Sequence, residues 1–397
     1  MDRDMEEDFR IEMVQGIAKV VGAEWDALVA ATPDSTVFQR HAWLAALETH
    51  GCATAQTGWQ PLVLQLRDPQ GRLAAACMLY AKSHSMGEYV FDWAWADAYS
   101  RHGLHYYPKL LSATPFTPVT GARLLGRDTP ARRALLQAVL DLARQSSLSS
   151  LHLLFLTDAE RELCAEAGLL LRHTVQFHWH EAAPPWPDFG AFLGSMSHDK
   201  RKKVRQERRK VVEAGVRFRR LTGYDATPED WAHFARCYDE TYAAHGSPPY
   251  LNLSFFRAIG EQLPDHVLLL IAEQAGQDIA ASLILLDPER RRAYGRYWGA
   301  LRHIPNLHFE ACYYQPIEFC IEQGYAVFEG GAQGAHKMAR GLLPVTCTSA
   351  HWLADARFHT AIDEYLQREN LAIDSHMDEL REHAPFRGQT ALTATAT

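Results

Sequence analysis

The sequence predicts an α/β protein of mixed sheets, arranged as two domains in tandem. Three observations predict it. The chain has 397 residues, more than one hydrophobic core ordinarily organises. One order of helices and strands is legible twice along it. Between the two copies lies Glu181-Ala-Ala-Pro-Pro-Trp-Pro187, where three prolines stop helix and strand alike. The expected domains are 1–182 and 216–397, with 183–215 as a Pro-rich linker and a basic helix.

In the first half, Ala23–Ala31 and His41–Thr49 have helical patterns. Pro61–Leu66 and Leu73–Ala81 read as paired strands around Asp68-Pro-Gln-Gly71, a turn by composition. Glu88–Trp95, rich in aromatics, reads as a third strand, and Tyr106–Pro118 as an irregular Pro-rich stretch. Pro130 opens a helix to about Gln145, capped by Asp128 or Thr129. Leu151–Leu156 is a strand, Ala159–Ala167 a helix stopped by Gly168, and Leu170–His180 another strand.

The second half repeats the order. A basic helix from Ser197 to Ala214 ends at Gly215, with a thin apolar stripe of Met196, Val204, Val211 and Val212. Val216–Leu221 is a strand, and Pro228–Ala243 and Leu253–Glu261 are helices. Strands follow at His266–Glu273, Ile279–Leu286 and Arg292–Ala300, then a helix over Leu307–Gln323 closed by Gly324. Tyr325–Glu329 and Ser349–Leu353 are strands, Arg357–Glu369 is a helix, and a loose Thr/Ala-rich tail follows Phe386. A meander followed by a crossover helix and a parallel strand gives a mixed sheet with a splayed centre, a layout that resembles that of GNAT-type acyltransferases.

Composition narrows the class. Hydrophobic residues at 47% and charged residues at 22% describe a folded chain and exclude general disorder. No apolar run reaches the roughly 18 residues of a membrane span. The acidic first residues resemble no secretory signal. Seven cysteines, widely spaced and without CxxC, argue for reduced thiols in a cytoplasm and against a disulfide framework or zinc ribbon. The histidines show no metal spacing, and no metal site is expected.

Charge is uneven. Between Lys200 and Arg220, eleven basic residues face two acidic ones, a local +9; with the chain at −8, the remainder carries −17. Lys200, Arg201, Lys202, Lys203, Arg205, Arg208, Arg209 and Lys210 form the expected nucleic-acid-binding face. The alternative is a solvated helix face.

Two stretches can carry chemistry in the second half. Tyr294-Gly-Arg-Tyr-Trp-Gly299, with Tyr297 and Trp298, precedes a helix whose first turn bears His308 and Glu310. Phe328-Glu-Gly-Gly-Ala-Gln-Gly-Ala-His-Lys-Met-Ala-Arg-Gly341 gathers Glu329, Gln333, His336, Lys337 and Arg340 among four glycines directly after a strand. This is neither a Walker loop nor a GxGxxG turn. The first half offers Asp92, Trp95, Asp97, Tyr106 and Lys109, aromatics interleaved with charge that suit an amine or a sugar ring. HExxH, GxSxG and HxE…PCxxC are absent.

Leu307-His-Phe-Glu310, Glu329-Gly-Gly-Ala-Gln-Gly-Ala-His-Lys337 and Arg340-Gly-Leu-Leu-Pro344 resemble the FemAB-like predicted N-acyltransferases of the GNAT superfamily. So do Ser197-His-Asp-Lys-Arg-Lys-Lys-Val-Arg205, Gly87-Glu-Tyr-Val-Phe-Asp-Trp-Ala-Trp-Ala-Asp-Ala-Tyr99, Tyr106-Tyr-Pro-Lys-Leu110 and Pro115-Phe-Thr-Pro-Val-Thr-Gly121. The resemblance spans about residues 25–385. It implies two tandem GNAT-like domains and amide-forming transfer to a small-molecule or peptide amine. As in relatives of peptidoglycan synthesis, the implied donor is aminoacyl-tRNA, with no tightly bound cofactor. One departure stands out: the superfamily's pyrophosphate loop, [RQ]xxGx[GA], is missing from Gly299-Ala-Leu-Arg-His-Ile-Pro-Asn306, where Arg302 has no glycine after it. That weakens acyl-CoA, the alternative donor. A catalytically inert module that binds cell-wall precursor or RNA is the other alternative.

The expected roles follow. Glu310 or His308 orients or deprotonates the acceptor amine, and Lys337, with His336 or Arg340, meets the oxyanion or a donor phosphate. Glu329 and Gln333 orient Lys337, and Asp92, Trp95, Asp97 and Lys109 contact the acceptor.

Overall fold

Local chemistry sets the first elements. The computed structural model describes residues 9–331 and 334–386. Strand β1 (Arg10–Val14) leads into helices α1 (Gly22–Ala31) and α2 (His41–Thr49), then strands β2 (Trp59–Arg67) and β3 (Leu73–Lys82). The Asp68 carboxylate shapes the β2–β3 turn by accepting from the backbone N–H groups of Gln70 (3.0 Å) and Arg72 (2.9 Å). Helix α3 (Trp93–Arg101), strands β4 (Lys109–Ser112) and β5 (Leu125–Gly126), helix α4 (Thr129–Gln145), strand β6 (Ser150–Leu156), helix α5 (Asp158–Glu166) and strand β7 (Leu170–His180) follow. Asp128 caps α4 by accepting from the Ala131 N–H at 2.8 Å, with Pro130 in the first turn.

The remaining elements are helices α6 (Phe189–Ser195) and α7 (His198–Glu213), strand β8 (Val216–Thr222), and helices α8 (Pro228–Ala244) and α9 (Leu253–Gln262). Strands β9 (Val267–Gln274), β10 (Gln277–Asp287) and β11 (Arg292–Ala300) precede helices α10 (Leu307–Phe309) and α11 (Gln315–Gln323). Strands β12 (Val327–Glu329) and β13 (Leu343–Leu353) and helix α12 (Ala356–Glu382) complete the order. Among the described residues, no helix is long and apolar enough to cross a membrane.

The chain forms two units. Unit 1 runs to Thr174 and takes in Cys347–Ile373; unit 2 runs Val175–Thr346 and continues from Asp374. In unit 1, β1, β2, β3 and β4 are successively antiparallel, β4 and β6 are parallel, and β13 pairs antiparallel with β6. In unit 2, β8, β9, β10 and β11 are antiparallel, β11 and β12 are parallel, and β7 pairs antiparallel with β12. The same strand order thus occurs twice. Leu64, Leu79, Leu110, Leu136, Val139 and Leu153 form the centre of the unit 1 core, and Phe177, Trp179, Phe192, Leu270, Ile317 and Phe328 that of unit 2.

Several expectations need correction. Glu88–Trp95 is no strand: Gly87 (φ 80°) and Tyr89 (φ 64°) break extension, and α3 starts at Trp93. The strand beside β3 is β4, in the stretch expected to be irregular. Residues 183–215 are packed into unit 2 rather than linking it, because Phe189, Phe192, Leu193, Met196 and Val204 enter its core. The helix expected over Leu307–Gln323 carries a π-turn at Glu310–Tyr314, where Pro316 has no N–H for the Cys312 carbonyl. Helix α12 continues to Glu382, since Met377 and Leu380 extend its buried stripe.

Close approach of α8 to β11 requires Gly299: a Cβ there would lie 1.7 Å from the Cys237 carbonyl oxygen. Gly299→Ala is expected to cost about 3 kcal/mol through overpacking. Urea unfolding followed by circular dichroism checks this, and an unchanged midpoint would contradict the contact.

Candidate functional site

In unit 2, β11 and β12 pair at Arg292–Val327, Ala293–Phe328 and Tyr294–Glu329, and then part. A bulge in β11 leaves Arg296 without a residue opposite it on β10, between Gly295 facing Ile284 and Tyr297 facing Leu283. Beyond β12 the chain turns through Gly330 and Gly331. A Cβ on Gly330 would lie 2.6 Å from Leu342 Cδ2, and Gly331 has φ 77°, so both positions favour glycine. A short 3-10 helical segment, Ala335–Arg340, then brings three site side chains back toward α10.

These segments form one cluster. The His308 ring lies 5.6 Å from those of Trp298 and Tyr313, and Phe309 lies 6.0 Å from His336. Tyr313 Oη and His336 Nε2 are 3.3 Å apart. The Arg340 guanidinium stacks 3.4 Å over the Phe309 ring and donates to the His336 carbonyl (2.8 Å) and the Glu207 carboxylate (2.9 Å). Lys337 Nζ donates to the Gly331 carbonyl at 2.8 Å. Burial, with the Arg296 charge nearby, pushes Lys337 down to about 8. Burial, then the charges of His336, Arg340 and Lys337, pushes His308 down to about 4, so its ring is neutral at pH 7.

His308, His336, Lys337, Arg340 and Trp298 are therefore brought together. Other predicted residues are placed differently. Tyr297 packs into the core against Tyr238 and Phe256. Glu310, turned inward by the π-turn, accepts from Arg208 Nε (3.1 Å) and Gln315 Nε2 (2.8 Å). Glu329 accepts from Arg296 Nη2 at 2.7 Å instead of orienting Lys337. Gln333 lies outside the described residues.

Unit 1 holds a second cluster. Lys109 Nζ donates to Glu88 (2.7 Å), Ser85 (2.8 Å) and Asp92. Tyr106 Oη donates to Asp92 at 2.7 Å and lies 3.1 Å from His152 Nε2; His152 Nδ1 lies 2.7 Å from His351 Nδ1. Lys82 Nζ sits 3.9 Å from Glu88 and 3.6 Å over the Trp59 ring. Trp95 packs edge-on against His351 at 5.0 Å, whereas Asp97 is exposed and paired with Arg101 along α3. Burial raises Glu88 to about 7 and lowers Lys82 to about 7. Burial opposes the charges of Lys109 and Asp92, but their mutual attraction prevails and keeps that pair ionised.

A family model described as FemAB-like, peptidoglycan biosynthesis/recognition, matches residues 16–388. The chain belongs to the FemAB-like family. A comparison with curated proteins finds no match. Among solved structures, the C-terminal domain of a putative lysylphosphatidylglycerol synthetase from Agrobacterium fabrum is similar at 11% identity, with 86% of this chain and 95% of that chain covered and a TM-score of 0.54. The L-PGS structure from Bacillus licheniformis gives the same identity and coverage, at 0.53. A tandem GNAT protein from the clavulanic acid biosynthesis pathway matches at 13% identity over 87% of this chain and 99% of that one, at 0.47. The fold is shared with the first two of these, a mixed α/β arrangement in which one strand order occurs twice, and the family supports an acyltransferase.

The FemAB-like chain divides its basic helix between two tasks. Lys202, Lys203, Arg205, Arg209 and Lys210 are exposed, with Arg209 near Glu213, while Lys200 and Arg201 are half-buried. Arg208 faces inward instead: it binds Glu310 and Glu318 and lies 4.5 Å over the Phe189 ring. Residues not anticipated from sequence include Arg296, Glu207, Lys82, Glu88, His152 and His351. Glu207 carries a legible signal, being one of two acids in the basic run, and Lys82 ends an otherwise apolar strand.

Arg208→Ser should destabilise the fold by about 2 kcal/mol, because Glu310 is left buried beside a second carboxylate without its cation. Lys202→Ser and Lys203→Ser should change stability by less than about 0.5 kcal/mol. Thermal unfolding of the three variants checks the contrast, and equal behaviour would refute the structural role of Arg208.

Proposed function

We propose that the chain is an N-acyltransferase that moves an aminoacyl group from aminoacyl-tRNA to an amine acceptor at the unit 2 cluster. One observation carries the reading. Glu207, on the inner face of α7, holds Arg340 beside His336 and Lys337, while the same helix exposes five cations outward. A surface suited to a phosphate backbone is thereby joined to the parted strands.

The chemistry follows from the groups present. The acceptor nitrogen attacks the ester carbonyl, forming the C–N bond, and the tetrahedral oxyanion meets the Lys337 ammonium. Arg340, fixed by Glu207 and the His336 carbonyl, adds positive charge without moving. Neutral His308 is too weak a base to retain a proton at pH 7 and serves by accepting a hydrogen bond from the attacking amine. The ester C–O bond then breaks, and the proton lost by nitrogen ends on the departing ribose hydroxyl. A tRNA donor places the reaction in the cytoplasm, and the family's description favours a peptide amine as acceptor.

Bulk tRNA charged with labelled amino acids, incubated with peptidoglycan-precursor peptides, tests the reaction. Lys337→Met should lower the transfer rate about 100-fold with the fold intact; unchanged turnover would exclude the oxyanion role. The charged form of Lys337 is the active one, so the rate should fall as pH rises through about 8.

Filter binding across a salt series tests the donor. Changing Lys202, Lys203, Arg205 and Arg209 to Ser should make the slope of log affinity against log salt shallower by about 3. Absence of tRNA binding at low salt, with turnover of acyl-CoA, would exclude the tRNA donor.

A further inference from the structure

Amide transfer at the unit 2 cluster makes no use of the charged cluster in unit 1, and packing does not require that cluster either. Apolar side chains of similar volume generally serve a core as well as buried ion pairs do, so four buried charges are a costly choice. Lys82, Lys109, Glu88, Asp92, Tyr106, His152 and His351 are all buried. They are drawn together from β3, the loop after it, the stretch before β4, β4 itself, β6 and β13.

The network is not saturated. Glu88 Oε1, Asp92 Oδ1 and His351 Nε2 are buried and make no hydrogen bond. Two of these three are carboxyl oxygens, which accept whenever their group is ionised. Glu88 Oε1 is 3.9 Å from the Lys82 ammonium, beyond hydrogen-bond reach, while Lys82 leans on the Trp59 ring.

The loop Ser83–Asp92 that covers the cluster has two faces. Its inner face supplies Ser85, Glu88 and Asp92 to Lys109. Its outer face, continued into the first residue of α3, exposes Met86 (48%), Phe91 (54%) and Trp93 (48%). The loop is tied down by Lys82 Nζ donating to the Met86 carbonyl (3.3 Å) and by Arg172 donating to the Phe91 carbonyl (2.7 Å). One loop thus carries exposed large apolar side chains and, on its buried side, acceptor atoms that lack donors.

We propose that unit 1 contains a binding site for a primary ammonium group carried on an apolar or aromatic body, with Glu88 and Asp92 receiving the ammonium and Met86, Phe91 and Trp93 receiving the body. An ammonium supplies three donors, which suits the two open carboxylate oxygens. Charge balance is kept by proton release. Two lysines already match two carboxylates, so a ligand cation entering beside Glu88 displaces the proton carried by Lys82, which remains over Trp59 as a neutral amine. The position of Lys82 and Glu88 near 7 makes that release easy at neutral pH. The other titratable groups facing the site keep one state there. Lys109 and Asp92 stay ionised, burial holds His84, His152 and His351 below the usual histidine range, and it holds Tyr106 and Tyr107 above the usual tyrosine range.

The test is direct binding to the full chain and is independent of turnover, so its failure is distinct from failure of the transfer reaction. Phenethylammonium chloride and its neutral counterpart 2-phenylethanol are titrated by calorimetry and amide-resolved NMR. The ammonium should bind with shifts concentrated in residues 82–109, tighten as pH rises through 7, and release about one proton. The alcohol should bind at least tenfold more weakly. Glu88→Gln should weaken the ammonium at least tenfold. If that variant does not fold, Phe91→Ala with Trp93→Ala, both on the exposed face, should weaken it at least threefold with the fold preserved. No binding up to 20 mM, equal binding of the alcohol, or unchanged affinity in the folded variants would overturn the site.

Discussion

Backbone satisfaction beyond a short parallel ladder organises unit 2. Once β11 and β12 part after Tyr294 and Glu329, the polar groups past that point must find partners elsewhere. The Gly330 N–H donates to the Phe177 carbonyl, the Glu329 carbonyl accepts from Arg296, and the Gly331 carbonyl accepts from Lys337. Lys337 is placed by this demand rather than by Glu329, which is committed to Arg296. The two glycines are needed for the same reason: Leu342 occupies the space a Cβ at Gly330 would take, and Gly331 sits at positive φ.

Helix α7 shows how one element joins a charged surface to the cluster. Val204, Glu207 and Val211, spaced at three and four residues, bury one narrow face. A carboxylate in that face would be unfavourable alone. Arg340, with the Tyr314 hydroxyl, supplies its partners, and the buried pair thereby fixes the segment that carries His336 and Lys337. Arg208 does a parallel task at the edge of the helix, holding Glu310 and Glu318. The remaining cations are left to the surface, where they concentrate positive charge.

Much of the fold was legible because its signals are local. The Asp128–Pro130 start, the glycine stop at Gly324 and the apolar runs of β9 and β10 identify their elements without tertiary context. The loop over Ser83–Asp92 was not, since its aromatic content imitates a strand while the burial of Glu88 and Asp92 against Lys109 decides its path. At the site, His308, His336, Lys337 and Arg340 stood out by residue type and density, but their partners did not. Arg296 depends on a bulge that follows from pairing register, and His152 meets His351 from 199 residues away. Contacts of that kind leave no trace in spacing.

The proposed transfer places the acyl carbonyl of the donor at the parting of β11 and β12. The most direct measurement is a crystal structure with a non-hydrolysable, amide-linked aminoacyl-RNA minihelix. The carbonyl oxygen of its aminoacyl group should lie within hydrogen-bond distance, about 3 Å, of Lys337 Nζ, with the RNA backbone along Lys202, Lys203, Arg205 and Arg209. An aminoacyl group bound away from Lys337, or RNA on a face that excludes α7, would contradict the account.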